Sequence, residues 1–287
     1  MLPSCKFRYN SVAILPKNHR RRDGQAFLNL AFSSQTADSG VVTDFWLEAI
    51  ILGAASMVQS AVGFAMAMLS IPLLVAIGKP LPVAVATVMA TSVVSSLVGV
   101  MRLRRLVAWR WVARAAALRL AAIPFGLLAL RLLNSRSQAE IKLFLGIFIL
   151  TAVTFVGLTR PKPEKAQKWT VPACLASGFL QGLVGMGGPP LVLWVMSLRW
   201  SARRTRAFLF GLYVICVPVN LVGLYLVFGR PVAEAVLAGL LACPATIGGS
   251  MLGLRLGERL PKPRLRAVAF GLLVLIGLRS ALSAWIP

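Results

Sequence analysis

Two short stretches of this chain hold residue types that can bind an anion through backbone and amide groups. The first is Gln59-Ser60-Ala-Val-Gly63-Phe64; the second is Gln181-Gly182-Leu-Val-Gly185-Met-Gly187-Gly188-Pro189-Pro190. Glycines let backbone N–H groups approach a ligand closely. A helix starting after such a break points its free N–H groups and the positive end of its dipole at whatever lies there. Each such interaction contributes only about 0.3 to 2 kcal/mol, so several must converge. Gln59 and Gln181 add amide hydrogens for oxyanion oxygens. The expected substrate-binding set is therefore Gln59, Ser60 and Gly63 from the first stretch, with Gln181, Gly182, Gly185, Gly187 and Gly188 from the second. Thr91 and Ser92 add hydroxyls from an apolar run that also holds Thr87, Ser95 and Ser96; the alternative is that they bond back to their own helix. Asn220 joins the set because an amide in mid-span either pairs across helices or faces a cavity. The alternative for the glycines themselves is close helix packing.

Other chemistry is poorly served. The histidine, His19, lies in the N-terminal stretch, and Cys5, Cys174, Cys216 and Cys243 form no Cys-x-x-Cys pair. No His-Glu-x-x-His or Gly-x-Ser-x-Gly motif is present, so neither an enzyme, a metal nor a cofactor is expected. The eight acidic residues all avoid span centres, which disfavours a midplane proton relay. Glu48 and Glu234, about one turn inside, are the candidates for proton coupling, with rim positions as the preferred reading. Arg119 lies about two turns into a span; one reading is that it attracts anions, and the preferred one is that its long stem carries the guanidinium out to the cytoplasmic interface.

These residues sit in a chain that is 58% hydrophobic and 14% charged, against about 25% charged in soluble domains. Ten apolar segments follow a polar tail over 1–44, expected to be unstructured. They run roughly over 45–60, 64–78, 82–101, 111–133, 139–159, 169–184, 188–198, 207–228, 232–254 and 266–285. The second and seventh reach only about 16 to 23 Å at 1.5 Å per residue, short of a hydrocarbon core of about 30 Å. They read as half-helices or as arms of re-entrant hairpins. The fold expected is an all-α polytopic membrane protein with about eight transmembrane helices.

The breaks recur because the chain is duplicated over roughly 120 residues. Pro124 in Ala-Ile-Pro matches Pro244 in Ala-Cys-Pro, Arg131 matches Arg255, and Gly146 matches Gly271. One membrane repeat covers 45–160, a basic linker 161–168, and a second repeat 169–287. The net charge of +23 would suggest nucleic acid in a soluble protein, but nineteen of the 31 Lys and Arg border spans in four clusters. These are Arg102 to Arg119, Arg160 to Lys168, Arg199 to Arg206 and Arg255 to Arg266. That is the positive-inside pattern, not a nucleic-acid surface. The clusters occupy different loops in the two halves, so they share one side only if the repeats are inverted. Gly249, Gly253 and Gly257 form a stripe for close helix packing, with a homodimer face as the lesser alternative.

The paired breaks, the Gly-Met-Gly-Gly-Pro-Pro run, Ala-Thr-Ser at 90–92, and the Ala-Ile-Pro and Ala-Cys-Pro helices resemble the sulfite exporter TauE/SafE family. The similarity covers about 45–286. It implies a bacterial inner-membrane permease for sulfite, sulfonates or related small anions, with the lipid bilayer and that solute as partners. Family members often carry Gly-x-Gly-Gly-Gly in both halves; here the first half has Gly63-Phe64-Ala65-Met66 and the second has proline at the last place. The reading that results is an anion permease working by alternating access. Its rivals are a permease for another small solute, such as a carboxylate, and a non-transporting membrane assembly or sensor subunit.

Overall fold

The computed structural model describes the backbone of residues 39–159, 166–198, 200–259 and 262–282, and the side chains of 45–159, 168–198, 200–259 and 267–282. The chain divides into a unit Met1–Phe45 and a unit Trp46–Pro287. Apart from the first turns of one helix, the polar tail over 1–44 lies outside the described residues, as does most of the basic linker.

Every described element is helical. In chain order these are α1 (Ser39–Val62), α2 (Met66–Ala76), α3 (Leu81–Leu103), a 3-10 turn at Arg104–Leu106, α4 (Trp109–Leu133), α5 (Gln138–Leu158), α6 (Ala166–Val184), α7 (Gly188–Ser197), α8 (Ala202–Phe228), α9 (Arg230–Leu241), α10 (Cys243–Arg259) and α11 (Lys262–Leu282). Five of them are long and apolar enough to cross a membrane: α1, α3, α4, α5 and α8; the bent pair α9–α10 makes a sixth. The ninth apolar segment, read from the sequence as one helix, is thus broken at Ala242 with a bend of 57°. Pro244 stands in the first turn of α10, where a missing N–H costs nothing. Its counterpart Pro124 lies inside an unbroken α4. Ends are set locally: Ser137 and Glu140 form a capping box at the start of α5, and the Ser201 hydroxyl accepts from Arg204 N–H at the start of α8.

Glycine contacts fix the directions of the helices. Gly99 lies against Phe210, and Asn220 Nδ2 reaches Met89 Sδ at 3.3 Å, so α3 and α8 run antiparallel. Gly146 lies against Gly277 and Ala281, and Gly157 against Phe270, so α5 and α11 are also antiparallel. In α4 and α6, Arg119 faces Gly178 and Ile123 faces Gly182, a parallel pair. In α1 and α10, Gly53 faces Gly249, Met57 faces Gly253 and Ala61 faces Gly257, again parallel. The Gly249–Gly253–Gly257 stripe is therefore spent within the chain, where it lets two backbones touch. Ser56 Oγ bonds Thr246 O across that contact at 2.9 Å.

The same contacts run the bent pair α9–α10 along α3 in the same direction, through Thr87–Gly239 on α9 and Ser95–Ser250 on α10. They place α8 parallel to α4, through Val112–Gly211 and Leu127–Gly223. Hence α1 and α3 run the same way, and α2 must carry the chain back between them. By the same logic α7 carries it back between α6 and α8. The ends of α3 and α10 and the starts of α4 and α8 then lie together. They gather Arg102, Arg104, Arg105, Arg110, Arg203, Arg204, Arg206, Arg255 and Arg259 at one end of the molecule. Trp111, Trp194, Trp200 and Phe208 cluster at that end, with ring centroids 5.5 to 6.3 Å apart, as aromatic residues do at membrane interfaces. The rim carboxylates are paired: Glu48 with Lys79 at 2.7 Å and Glu234 with Arg230 at 3.1 Å.

Candidate functional site

Both glycine stretches end a helix. Gly63 (φ 102°) ends α1, and Gly185 (φ 70°) ends α6; both need the left-handed region that only glycine enters freely. Ala65 enters it too, with φ 94°, at the place where the resemblance puts a family glycine. An L-residue there costs about 1 to 2 kcal/mol. Ala65→Gly is therefore expected to raise stability by about 1 kcal/mol. Thermal unfolding of the purified protein in detergent checks this; an unchanged or lower midpoint would contradict it.

The half-helices that follow differ in what they offer. No side chain caps α2, and its first residues, Ala65, Met66, Ala67 and Met68, all line a cavity of about 30 Å³. Its unpaired N–H groups therefore converge on that space. Pro189 and Pro190 deprive the first turn of α7 of two donors. The second half contributes Gln181, Gly185, Gly187, Gly188 and Tyr213 to the same cavity, with Gln59, Ser92 and Met89 beside them. Ser92 and Met89 stand near the middle of α3, so the cavity lies near mid-depth. A cavity of that size has room for only about two or three waters, so a larger solute requires the walls to part.

Of the residues singled out by sequence, Gln59, Ser92, Gln181, Gly185, Gly187 and Gly188 line this cavity. The others stand behind it. Ser60 Oγ pairs with Ser95 Oγ at 3.5 Å. Gly63 packs on Arg206 and Leu209. Thr91 Oγ1 bonds back to Thr87 O and Val88 O at 3.1 and 3.0 Å. Gly182 lies against Ile123 and Gly126 of α4. Asn220 donates from Nδ2 to Gln181 O at 3.0 Å, bracing the turn, and its Oδ1 has no partner among the described residues.

Arg119 departs most from expectation. It does not reach an interface: its side chain is fully buried, and Nη2 donates to Gln181 Oε1 at 3.1 Å. Its guanidinium carbon stands 5.7 Å from the centre of the Tyr213 ring. The helix α4 packs on α6 with Gly178 directly against Arg119, which buries the arginine stem at that contact. Sequence reasoning also passes over Tyr213; its position in mid-span opposite a mid-span arginine is the signal that would find both.

A second cavity, of about 280 Å³, lies toward the basic end. Phe64, Val192, Met196, Trp200 and Leu209 line it, together with Arg206. Arg206 donates to Ser60 O, Ala61 O and Gly257 O at 3.3 to 3.4 Å. It thus closes the carbonyl ends of α1 and α10, where the helix dipoles favour a cation. Phe64 belongs to this cavity wall, and a methyl group added at Gly188 of the central one would meet it at 3.5 Å, so the residue adjoins both.

The sequence model of the family described as sulfite exporter TauE/SafE matches residues 49–280. A relative from Cupriavidus necator, described as a probable sulfite/organosulfonate exporter TauE, is 27% identical in an alignment 244 residues long that covers 82% of this chain and 94% of that protein. No solved structure matches.

Proposed function

The chain belongs to the sulfite exporter TauE/SafE family of membrane transporters, and from that premise we propose that it is a permease for a small anion, sulfite or an organosulfonate, working by alternating access. The observation that carries this reading is the mid-depth cavity where both breaks meet, furnished by the uncapped start of α2 and the amides of Gln59 and Gln181. Converging backbone and amide donors suit an acceptor-only solute. A carboxylate would meet the same donors, but the relative's description favours the sulfur oxyanion.

The two halves are read as inverted repeats. Exchanging α1–α5 with α6–α11 maps the α3–α8 and α5–α11 pairs onto themselves and maps α4–α6 onto α1–α10. The self-paired helices run antiparallel, as a two-fold axis in the membrane plane requires. On this reading each half makes five passes, an odd number as inversion requires: α1 to α5 in the first, and α6, α7, α8, the bent α9–α10 and α11 in the second, with the short α2 and α7 carrying the chain back. The basic end faces the cytoplasm of a bacterial inner membrane. Rocking of one repeat against the other, with Phe64 moving from where it adjoins both cavities, opens the site to the larger cavity.

The test is uptake of labelled sulfite and methanesulfonate into proteoliposomes. Saturable flux of either, absent from liposomes without protein, is expected. Absence of flux for both, with folded protein present, would favour the carboxylate permease or the non-transporting subunit.

A further inference from the structure

The second break carries a charge that no described carboxylate cancels. Arg119 is fully buried, yet only Nη2 has a hydrogen-bond partner, and that partner is the neutral Gln181 amide; Nε and Nη1 have none among the described residues. The carboxylates among the described residues are engaged elsewhere: Glu48 with Lys79, Glu234 with Arg230, Glu258 with Arg203, and Glu140 in the α5 cap. A buried guanidinium held by one neutral hydrogen bond is a poor structural device, because its desolvation outweighs what that bond returns. The residues around the guanidinium line the cavity: Gln181, Tyr213 and Gly187, at whose α-carbon an added methyl would stand 2.8 Å from Nη2. The charge therefore sits one residue behind the cavity wall.

Resting on the permease reading, we propose that Arg119 is the residue by which this site reads charge. It positions rather than touches the solute. By donating to Gln181 Oε1 it fixes the amide with its Nε2 hydrogens free for the cavity, so that Gln181 can only donate. Its uncancelled charge adds an attraction that a neutral solute of the same shape does not feel. The site then selects fully ionised, acceptor-only oxyanions. A unit charge several ångströms away in a partly desolvated site is worth about ten- to hundredfold in affinity.

The experiment compares methanesulfonate with the isosteric, neutral methanesulfonamide as competitors of labelled methanesulfonate uptake in proteoliposomes. In the wild type, methanesulfonate competes and methanesulfonamide does not. Arg119→Met is expected to raise the half-saturating methanesulfonate concentration about ten- to hundredfold, and Arg119→Lys to recover part of the loss. Melting of Arg119→Met in anion-free detergent solution is expected at or above the wild-type temperature, since an unpaired buried charge has gone. Gln181→Glu, which neutralises Arg119 in place, is expected to fold at least as stably and to lose anion uptake. Wild-type flux with unchanged half-saturation in Arg119→Met overturns the proposal alone. So does a common loss of melting temperature and flux that Arg119→Lys and Gln181→Glu fail to separate. A wild type that carries neither sulfite nor methanesulfonate overturns the permease reading, and this inference with it.

Discussion

Gly187→Ala is expected to bring solute flux down about ten- to hundredfold, while Gly188→Ala, one residue on, leaves most of it. The two glycines lie in the same break and line the same cavity, but their surroundings differ. A methyl group at Gly187 would stand 2.5 Å from Ser177 O, 2.8 Å from Arg119 Nη2 and 2.9 Å from Gln181 Oε1. The first of these is backbone and cannot swing away. It belongs to the residue whose hydroxyl holds Gly187 O, so the start of α7 must shift away from α6 and take the Arg119–Gln181 contact with it. At Gly188 the nearest atoms are Phe64 Cβ at 3.5 Å and Tyr213 Oη at 3.7 Å, ordinary contact distances. Backbone strain does not confuse the comparison, because Gly187 has φ −72°, which any L-residue adopts. Overpacking of this kind costs about 1 to 3 kcal/mol, which is the fold-change stated. The check is uptake by both variants at matched protein incorporation. Equal flux would remove the second break from the transport site; equal loss would mean that cavity volume, not the Arg119–Gln181 geometry, is what matters.

The scaffold is legible in the sequence and the site only partly so. Nine of the ten apolar segments correspond to single helices, because hydropathy and flanking Pro, Gly and Ser report helix ends through local forces. The ninth segment escapes such a reading: nothing in its composition separates a proline that an unbroken helix tolerates, as at Pro124, from one that begins a new helix, as at Pro244. That difference is tertiary. The breaks themselves are visible because left-handed backbone selects glycine. Which residues around them face the cavity is not, since Gln181 and Gly182 are adjacent in sequence yet point at a cavity and at α4 respectively. Arg119 defeats the sequence for a related reason. Depth along a helix predicts whether an arginine can snorkel, but only the packing of α4 against α6 shows that its stem runs toward Gln181.

That packing explains why α4 and α6 tolerate so little change, and it yields the largest stability effect expected in the molecule. Gly182→Val is expected to prevent recovery of folded protein, whereas Gly248→Val on α10 is expected to purify like the wild type. A Cβ at Gly182 would lie 3.0 Å from Gly126 Cα and Leu127 N, and nearer still to Ile123 O. These are main-chain atoms of α4, so relief requires two helices to separate along their contact. In a bilayer that contact is maintained by van der Waals packing, without a hydrophobic force between helices to restore it. Separation also withdraws α4 from Gly178, which lies against Arg119, and so dismantles the wall behind Gln181. The cost is at or above the upper end of the roughly 1 to 3 kcal/mol typical of overpacking. Gly248, by contrast, is exposed, and a methyl group added there would meet no heavy atom of the described residues within 4 Å. The β-branched side chain then brings only the small helix-propensity loss of valine. Gly253→Val provides the matched test at the α1–α10 contact, since its Cβ would meet Met57 backbone as Gly182 meets Ile123. Size-exclusion profiles and melting in detergent decide the outcome. Monodisperse, wild-type-like Gly182→Val would show that α4 and α6 do not touch through their backbones. A severe defect at Gly182 with none at Gly253 would break the equivalence of the α4–α6 and α1–α10 contacts on which the inverted-repeat reading leans.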